Sequence, residues 1–267
     1  EPYRRQRQMC IRDSMDMVLE FLGTGTSTGV PEAGCHCEVC TSSNPHDQRL
    51  RTSAWIQVGG KSILIDCGPD FRQQAIRAGI ERIDALLITH GHYDHAGGLD
   101  DLRPYCKDRA FPIYLEPSVA SDIRQRIPYC FSENRYPGVP EFRLHEIGLS
   151  PFEVEGIPVV PIRAMHYKLP IVGLRIYNLA YITDALYLPE EEYAKLEGVD
   201  ILVVNALRKK PHISHQTLQD ALQMADRLHP RQTYLIHMSH HMGLEETVRK
   251  ELPESVMLAY DGLRIIL

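Results

Sequence analysis

The feature that most constrains this chain is a burst of metal-ligand residues at the end of a buried strand. The apolar segment 84–89 is typical of a buried strand and leads directly into His90-Gly-His92-Tyr-Asp94-His95. Neutral imidazole nitrogens and carboxylate oxygens are ligands that zinc and related divalent metals prefer. Four such groups within six residues converge only if the loop folds around a cation. The segment therefore predicts a metal site rather than a polar surface turn.

This motif resembles the Thr-His-x-His-x-Asp-His signature of the metallo-β-lactamase superfamily. The resemblance implies further ligands downstream, and three suitable residues follow at the ends of predicted strands: His166, Asp184 and His237. It implies that one metal is held by His90, His92 and His166, that a second is held by Asp94, His95 and His237, and that Asp184 bridges them. Zinc is the default metal, and manganese can occupy the same ligands.

Two divalent metals about 3.5–4 Å apart lower the pKa of a shared water, clamp a phosphoryl or acyl oxygen and stabilise the leaving oxygen. The expected chemistry is hydrolysis by attack of a metal-bridging hydroxide, and phosphodiesters suit such a clamp well. Asp66, at the end of another predicted strand, is expected to brace the metal loop by hydrogen bonds.

Both halves of the chain show strand hairpins together with helices. In the first half, two β-rich runs are joined by Gly59-Gly60. Two packed sheets with helices outside is the simplest layered arrangement. It matches the αβ/βα four-layer sandwich of the metallo-β-lactamase fold, in the α/β class. We expect one domain over residues 17–267, preceded by a disordered or non-native tail over residues 1–16.

Composition narrows the function classes. The chain is 43% hydrophobic and 24% charged, with a formal net charge of −6, which argues against a protein that lives on polynucleotide. No apolar run approaches the roughly 20 residues that span a bilayer. The chain has seven cysteines, an odd number, and three of them are clustered. No export signal is seen. This pattern predicts a reducing, cytoplasmic location.

The cysteine cluster is a second candidate metal site. Cys35, Cys37 and Cys40 lie two and three residues apart, so their thiolates can reach one tetrahedral ion. Three thiolates need a fourth ligand from elsewhere in the chain, because His36 is badly placed between two of them. The alternative is a set of reduced, buried cysteines.

A subgroup resemblance supplies that ligand. The segment from Leu235 to His240 resembles the Leu-Thr-His-x-x-His segment of the phosphonate-degradation phosphodiesterase, which hydrolyses 5-phosphoribosyl 1,2-cyclic phosphate. That subgroup carries a structural zinc on a Gly-Cys-x-Cys-x-x-Cys loop plus the second histidine of this segment. The resemblance implies one structural zinc on Cys35, Cys37, Cys40 and His240, with His241 as the competing fourth ligand. Two segments, 68–72 and 98–103, are not features of that enzyme and look like those of a broader set of small metallo-hydrolases.

His215 matches the place of the subgroup's substrate-side histidine, just after Ser214, which we predict to cap a helix through Leu228. An imidazole there can bind the scissile phosphate or protonate the leaving ribose oxygen. His212 is the alternative for this role. The non-functional interpretation is that His215 is a solvent-exposed neighbour of the helix cap. We assign His215 and Asp94 as catalytic residues. Four basic residues are candidates for holding a second phosphate: Arg163, Lys168, Arg175 and Arg208.

We therefore expect a metal-dependent phosphodiesterase acting on a small cyclic or nucleotide-like phosphodiester, with no stable nucleic-acid partner and no membrane association. Whether the chain forms a homodimer is left open. One alternative is a nuclease of the tRNA 3′-processing or DNA-exonuclease type, against which stands the lack of a basic RNA-grasping insertion. The other is a non-hydrolytic cofactor-biosynthesis protein of the pyrroloquinoline quinone type, favoured only by an incomplete ligand set.

Overall fold

The computed structural model describes residues 16–107, 109–134 and 136–267. The predicted tail, apart from Asp16, lies outside the described residues. Within them, the strands form two seven-stranded sheets. The strands are β1 (Val18–Gly23), β2 (Ser53–Val58), β3 (Lys61–Ile65), β4 (Ala85–Leu87), β5 (Phe111–Leu115), β6 (Phe142–Glu146), β7 (Phe152–Val154), β8 (Ile157–His166), β9 (Leu169–Ile176), β10 (Leu179–Ile182), β11 (Ile201–Asn205), β12 (Gln232–Ile236), β13 (Val256–Leu258) and β14 (Arg264–Ile266).

The two sheets have matching internal organisation. The first has the order β14-β1-β2-β3-β4-β5-β6 and the second β13-β12-β11-β10-β9-β8-β7. In the first, pairing is antiparallel from β14 to β3 and parallel from β3 to β6. In the second, pairing is antiparallel from β7 to β10 and parallel from β10 to β13. Each half of the chain therefore builds hairpins first and crossovers second, and β14 returns to the first sheet.

Helices cover the outer faces of both sheets. The α-helices are α1 (Phe71–Ala78), α2 (Tyr93–Ala96), α3 (Pro117–Arg126), α4 (Leu218–Leu228) and α5 (Glu245–Val248). The 3-10 helices span Pro45–Asp47, Leu99–Tyr105, Pro128–Phe131, Glu190–Leu196, His240–Met242 and Arg249–Glu251. The longest of the described α-helices, α4, has 11 residues, and none of the described helices has the length and hydropathy of a bilayer-spanning segment.

Three apolar cores separate the layers. The central core lies between the sheets and includes Phe21, Ile56 and Tyr181. A second core packs α1 and α3 on the first sheet, and a third packs α4 on the second sheet. The α/β four-layer sandwich predicted from the sequence is thereby confirmed, because each sheet buries apolar side chains on both faces.

The start of α4 differs from the prediction. Thr217, not Ser214, is the N-cap: its hydroxyl accepts a hydrogen bond from the backbone N–H of Asp220, and the Asp220 carboxylate accepts from the backbone N–H of Thr217. This reciprocal capping box satisfies two backbone donors, which a serine three residues earlier cannot do. His215 therefore lies in the loop before α4 and not in its first turn.

Candidate functional site

The histidine-rich motif occupies the loop and short helix that follow β4. His90 is buried, and His92 is the N-cap of α2, which carries Asp94 and His95. The backbone N–H and hydroxyl of Thr89 both donate to the Asp66 carboxylate, at 2.8 Å each. The loop is thus tied to the end of the neighbouring strand β3, and its polar side chains gather at one edge of the sandwich.

Asp66 braces the loop at a second point, as predicted. Nδ1 of His95 lies 2.7 Å from Oδ2 of Asp66, and both side chains are completely buried. This contact fixes the imidazole so that Nε2 faces Asp94 and Asp184, 3.2 Å from an oxygen of each. Nε2 makes no well-aligned hydrogen bond within the described residues, so it points at the space between the two carboxylates.

Three site residues at strand ends adopt left-handed backbone conformations. They are Asp66, with φ of 58°, Asp184, with φ of 56°, and His237, with φ of 55°. They follow β3, β10 and β12. Residues other than glycine rarely adopt this backbone conformation, because it costs about 1–3 kcal/mol. The turn that each residue makes redirects its side chain from the sheet into the site.

Asp184 is the common member of three groups of possible ligands. The first group is Asp94, His95, Asp184 and His237, the second is His90, His92 and Asp184, and the third is His166, Asp184 and His215; within each, the ligand atoms lie within 4.8 Å of one another. The structure therefore brings all seven residues predicted for the two-metal site into one cluster, with Asp184 at its centre.

His166 is placed somewhat differently from its predicted partners. Its ring centroid lies 5.0 Å from that of His92 and 5.8 Å from that of His90, and it is grouped with Asp184 and His215. Its Nδ1–H donates to the backbone carbonyl of Asp184 at 2.8 Å, which orients Nε2 toward the cluster. The assignment of His166 to the first metal stays a prediction.

The charges of the cluster follow from burial and mutual contacts. Burial lowers the pKa of His90 well below its usual value, and the neighbouring His95 adds to this effect. Burial also opposes ionisation of Asp184, but His237 and His95 outweigh it and hold the pKa of Asp184 well below its usual range. For His95, burial opposes protonation, but Asp184, Asp66 and Asp94 outweigh it and raise the pKa well above normal. The carboxylates thus favour a positive charge at the centre of the cluster.

His215 belongs to the site although it precedes α4. Its Nε2 lies 3.3 Å from Oδ2 of Asp184, and its ring centroid is 4.5 Å from that of His166. Its Nδ1 lies 3.0 Å from Oγ of Ser214 and 3.2 Å from Nδ1 of His212. Burial lowers the pKa of His215 to about 4. Both histidines considered from the sequence are present, with His215 the inner one.

The three clustered cysteines and His240 form the second predicted cluster. Sγ of Cys40 lies 3.1 Å from Nδ1 of His240, and the four ligand atoms of Cys35, Cys37, Cys40 and His240 lie within 4.8 Å of one another. His241 is exposed and lies outside this group. His240 follows His237 by three residues, so this cluster joins the N-terminal loop to the strand end that carries His237.

Sequence reasoning missed why segments 68–72 and 98–103 are present. They pack backbone against backbone beside the metal loop. The N–H of Gly98 donates to the carbonyl of Cys67 at 2.8 Å, and the N–H of Cys67 donates to the carbonyl of His95 at 2.7 Å. A Cβ on Gly68 would lie 2.0 Å from the carbonyl oxygen of Asp94, and one on Gly98 would lie 2.0 Å from that of Gly68. The paired glycines are the signal that could have revealed this contact.

Both clusters have the chemistry of metal sites. The larger one offers imidazoles and carboxylates, which suit zinc or manganese, and its central carboxylates and Nε2 of His95 converge on one region. The smaller one offers three thiols and an imidazole, the donor set of a closed, tetrahedral zinc site. The residues present therefore fit two kinds of metal site, one able to support hydrolysis and one structural.

Comparison with known proteins agrees with this geometry. Residues 61–238 match the model of the family described as the beta-lactamase superfamily domain. The chain therefore belongs to the metallo-β-lactamase superfamily. A solved structure described as a new diphosphatase from the PhnP family is 40% identical to it, with a TM-score of 0.89, covering 95% of this chain and 98% of that one.

Two further relatives show the range of the superfamily. An octanoyltransferase of Porphyromonas gingivalis is 47% identical over 250 residues, which are 92% of this chain but 51% of that protein, so the chain spans about half of the length of this relative. The structure of Zn²⁺-bound PqqB from Methylobacterium extorquens has a TM-score of 0.77 and 19% identity, covering 94% of this chain and all of that one. The latter similarity shows a shared fold.

Proposed function

We propose that this protein is a metal-dependent hydrolase that cleaves a phosphodiester, with a small cyclic or nucleotide-like phosphodiester as its substrate. The observation that carries the proposal is the position of Asp184, whose carboxylate lies among three groups of histidine and aspartate ligands. One carboxylate shared between ligand sets suits a two-metal centre, because it can contact both ions. Two divalent cations held there would activate water and polarise a phosphoryl oxygen.

The chain's own residues divide into ligands and orienting groups. We assign His90, His92 and His166 to one cation and Asp94, His95 and His237 to the other. Asp66 holds the ring of His95, and the backbone carbonyl of Asp184 holds that of His166. The imidazoles of His95 and His166 thereby each keep Nε2 for a cation, since Nδ1 is hydrogen-bonded away from the centre.

His215 is the substrate-side residue in this proposal. It contacts Asp184 at the inner end of the cluster and is supported by Ser214 and His212 on its other side. We assign it to bind the scissile phosphate or to assist the leaving oxygen. The 3.3 Å contact between Nε2 of His215 and Oδ2 of Asp184 supports this assignment.

A second candidate for the bond that is cleaved is a phosphoanhydride inside a diphosphate diester. The observation that favours it is the 40% identity to a protein described as a diphosphatase. Both reactions require attack on phosphorus beside a cation pair, so the same residues serve either. Acyl transfer has less support, because the chain spans only half of the octanoyltransferase relative and the site is built from metal-type ligands.

The proposal is tested by metal content and turnover measured on the same preparation. We expect three metals per chain and hydrolysis of bis(p-nitrophenyl) phosphate. ADP-ribose is tested beside it as the substrate that contains a diphosphate diester. His92→Ala should abolish turnover and retain the cysteine-bound metal. His145→Ala, which removes a histidine stacked on Tyr114 away from the site, is the matched control and should leave metal content and turnover unchanged. One metal per chain and no turnover of either probe would contradict the proposal.

A further inference from the structure

The last residue of β11, Asn205, has a side chain that pairs with the backbone next to Asp184. Asn205 is completely buried. Its Oδ1 accepts a hydrogen bond from the backbone N–H of Ala185 at 2.8 Å, and its Nδ2 donates to the backbone carbonyl of Ala185 at 2.9 Å. One side chain therefore binds both backbone hydrogen-bonding groups of the residue that directly follows Asp184.

These two hydrogen bonds continue the sheet beyond the end of β10. The parallel register of β10 on β11 ends at Ile182 and Val204, and Asn205 is the next residue of β11. The chain leaves β10 through the left-handed conformation of Asp184, which persists in a non-glycine residue only when the surrounding structure fixes it. A side-chain amide offers the same kind of donor and acceptor as a peptide group. Asn205 therefore takes the place of a strand neighbour and fixes the far side of this turn.

The same backbone group also reaches the loop of His215. The carbonyl of Ala185 accepts a second hydrogen bond, at 2.8 Å, from the backbone N–H of Gln216. Gln216 directly follows His215, and its own carbonyl accepts from the backbone N–H of Leu207 at 3.0 Å. The end of β11 and the residues just after it therefore hold the backbone beside Asp184 and the backbone beside His215 in one hydrogen-bonded unit.

Two other groups contact Asp184 in a different way. The hydroxyl of Thr183 donates to Oδ1 of Asp184 at 2.6 Å, and Nδ1 of His166 lies 2.8 Å from its backbone carbonyl oxygen. Thr183 is the adjacent residue of the chain, and His166 is itself a ligand in the proposed function. Asn205 differs from both, because it comes from a neighbouring strand and its hydrogen-bonded unit includes the loop of His215.

We infer that Asn205 is a positioning residue of the active site, which holds the carboxylate of Asp184 between its groups of ligands and within 3.3 Å of Nε2 of His215. The inference rests on the proposed function, which gives Asp184 and His215 their roles. Asn205 acts through the backbone of Ala185 and contacts neither cation nor substrate. Without the amide, the turn at Asp184 relaxes, so the coordination at the cluster and the reach of His215 change together.

The kinetic test removes the amide at nearly constant size. Asn205→Leu should lower kcat/KM for bis(p-nitrophenyl) phosphate about 10- to 100-fold, mostly through kcat, because the geometry of the reacting groups is lost and not the binding surface. Asn205→Ser, which leaves room for water beside Ala185, should shift kcat in the same direction and keeps the test available if the leucine variant does not fold. Asn178→Leu is the matched control, because Asn178 precedes β10, at the opposite end of that strand from Asp184. It should leave kcat and KM unchanged.

A spectroscopic measurement separates positioning from a loss of stability. Co²⁺ is added to protein that retains zinc at the cysteine cluster, so the visible absorption bands of the added ion report the coordination at the larger cluster. We expect both Asn205 variants to shift these bands. Ile201→Val should leave them unchanged, because Ile201 begins β11 and packs in the central core, so its truncation lowers stability at the opposite end of the strand from Asn205.

The outcomes divide between the inference and the proposed function. Parental absorption bands and parental kcat in both Asn205 variants would overturn the inference. An equal shift of the bands in Ile201→Val would also overturn it, because the effect would then follow the stability of β11. Absence of turnover of bis(p-nitrophenyl) phosphate and of ADP-ribose by the parent protein would instead overturn the proposed function, while the cobalt bands still decide the role of Asn205.

Discussion

Nδ1 of His95 lies 2.7 Å from Oδ2 of Asp66, and neither side chain is exposed to solvent. The same carboxylate accepts hydrogen bonds from the backbone and hydroxyl of Thr89. Asp66 therefore couples the entry of the histidine loop to one of its ligands. The pKa of Asp66 is raised by burial, although His95 and Thr89 oppose this effect. The hydrogen bonds from Thr89 and His95 partly offset the cost of burying this carboxylate.

Replacing Asp66 tests this coupling. In Asp66→Asn the side chain keeps its shape but cannot accept the hydrogen bonds of Thr89 and His95 with both of its terminal atoms. We expect active-site metal affinity, or turnover of bis(p-nitrophenyl) phosphate, to fall about 10- to 100-fold. Metal titration with a chromophoric chelator and steady-state kinetics measure the two effects.

The matched control for this variant is Asp226→Asn, which makes the same chemical change on an exposed position of α4. It should alter neither metal affinity nor turnover. An Asp66→Asn protein with parental metal affinity and parental activity would show that Asp66 does not orient the ligand.

Substitution of two neighbouring histidines tests which of them is the fourth ligand of the cysteine cluster. His240→Ala should lose one metal per chain, because Nδ1 of His240 lies 3.1 Å from Sγ of Cys40. His241→Ala should retain that metal, because His241 is exposed and outside the cluster. Elemental analysis of both purified variants measures the difference. Loss of the metal in His241→Ala and its retention in His240→Ala would reverse the assignment.

The close approach of Gly68 and Gly98 predicts a steric effect. In Gly98→Ala the new Cβ would lie 2.0 Å from the carbonyl oxygen of Gly68, so the backbone beside Asp94 must move. We expect the free energy of unfolding to fall by about 3 kcal/mol and turnover to fall with it. Chemical denaturation measures the first and hydrolysis of bis(p-nitrophenyl) phosphate the second.

Gly148→Ala provides the comparison, since no heavy atom of the described residues, apart from Gly148 and its two chain neighbours, lies within 4 Å of a Cβ at that position. It should change the free energy of unfolding by less than about 0.5 kcal/mol. If both alanine variants were equally stable, the packing of Gly98 against Gly68 would not matter for the fold.

The capping box of α4 predicts unequal effects of two substitutions. Thr217→Ala removes the side chain that accepts from the Asp220 N–H and should lower the free energy of unfolding by about 1 kcal/mol. Ser214→Ala should lower it by less than about 0.5 kcal/mol, because Thr217 and not Ser214 is the N-cap of α4. Urea denaturation monitored by circular dichroism gives both values. A larger loss in Ser214→Ala would restore the earlier helix start.

The sequence by itself determined the fold class and the residue types of both clusters. The ligands His90, His92, Asp94 and His95 are close in sequence, and Cys35, Cys37 and Cys40 are too, so local spacing is enough to nominate them. The alternation of hairpins and helices predicted the four layers, because apolar periodicity reports which faces are buried. The role of Asp66 also followed from its place at the end of a strand.

Only the tertiary structure decided which distant groups meet. Asp184 contacts His95, which belongs to the other sheet, and His237, which follows another strand of its own sheet; the sequence grouped these residues only through the family resemblance. The contact of His215 with Asp184 depends on the path of the loop before α4. The close approach of Gly68 to Gly98 was not predicted either, although both glycines lie in segments that the sequence singled out. The physical reason is that a side chain's partner is set by packing between elements far apart in the chain, which local patterns do not encode.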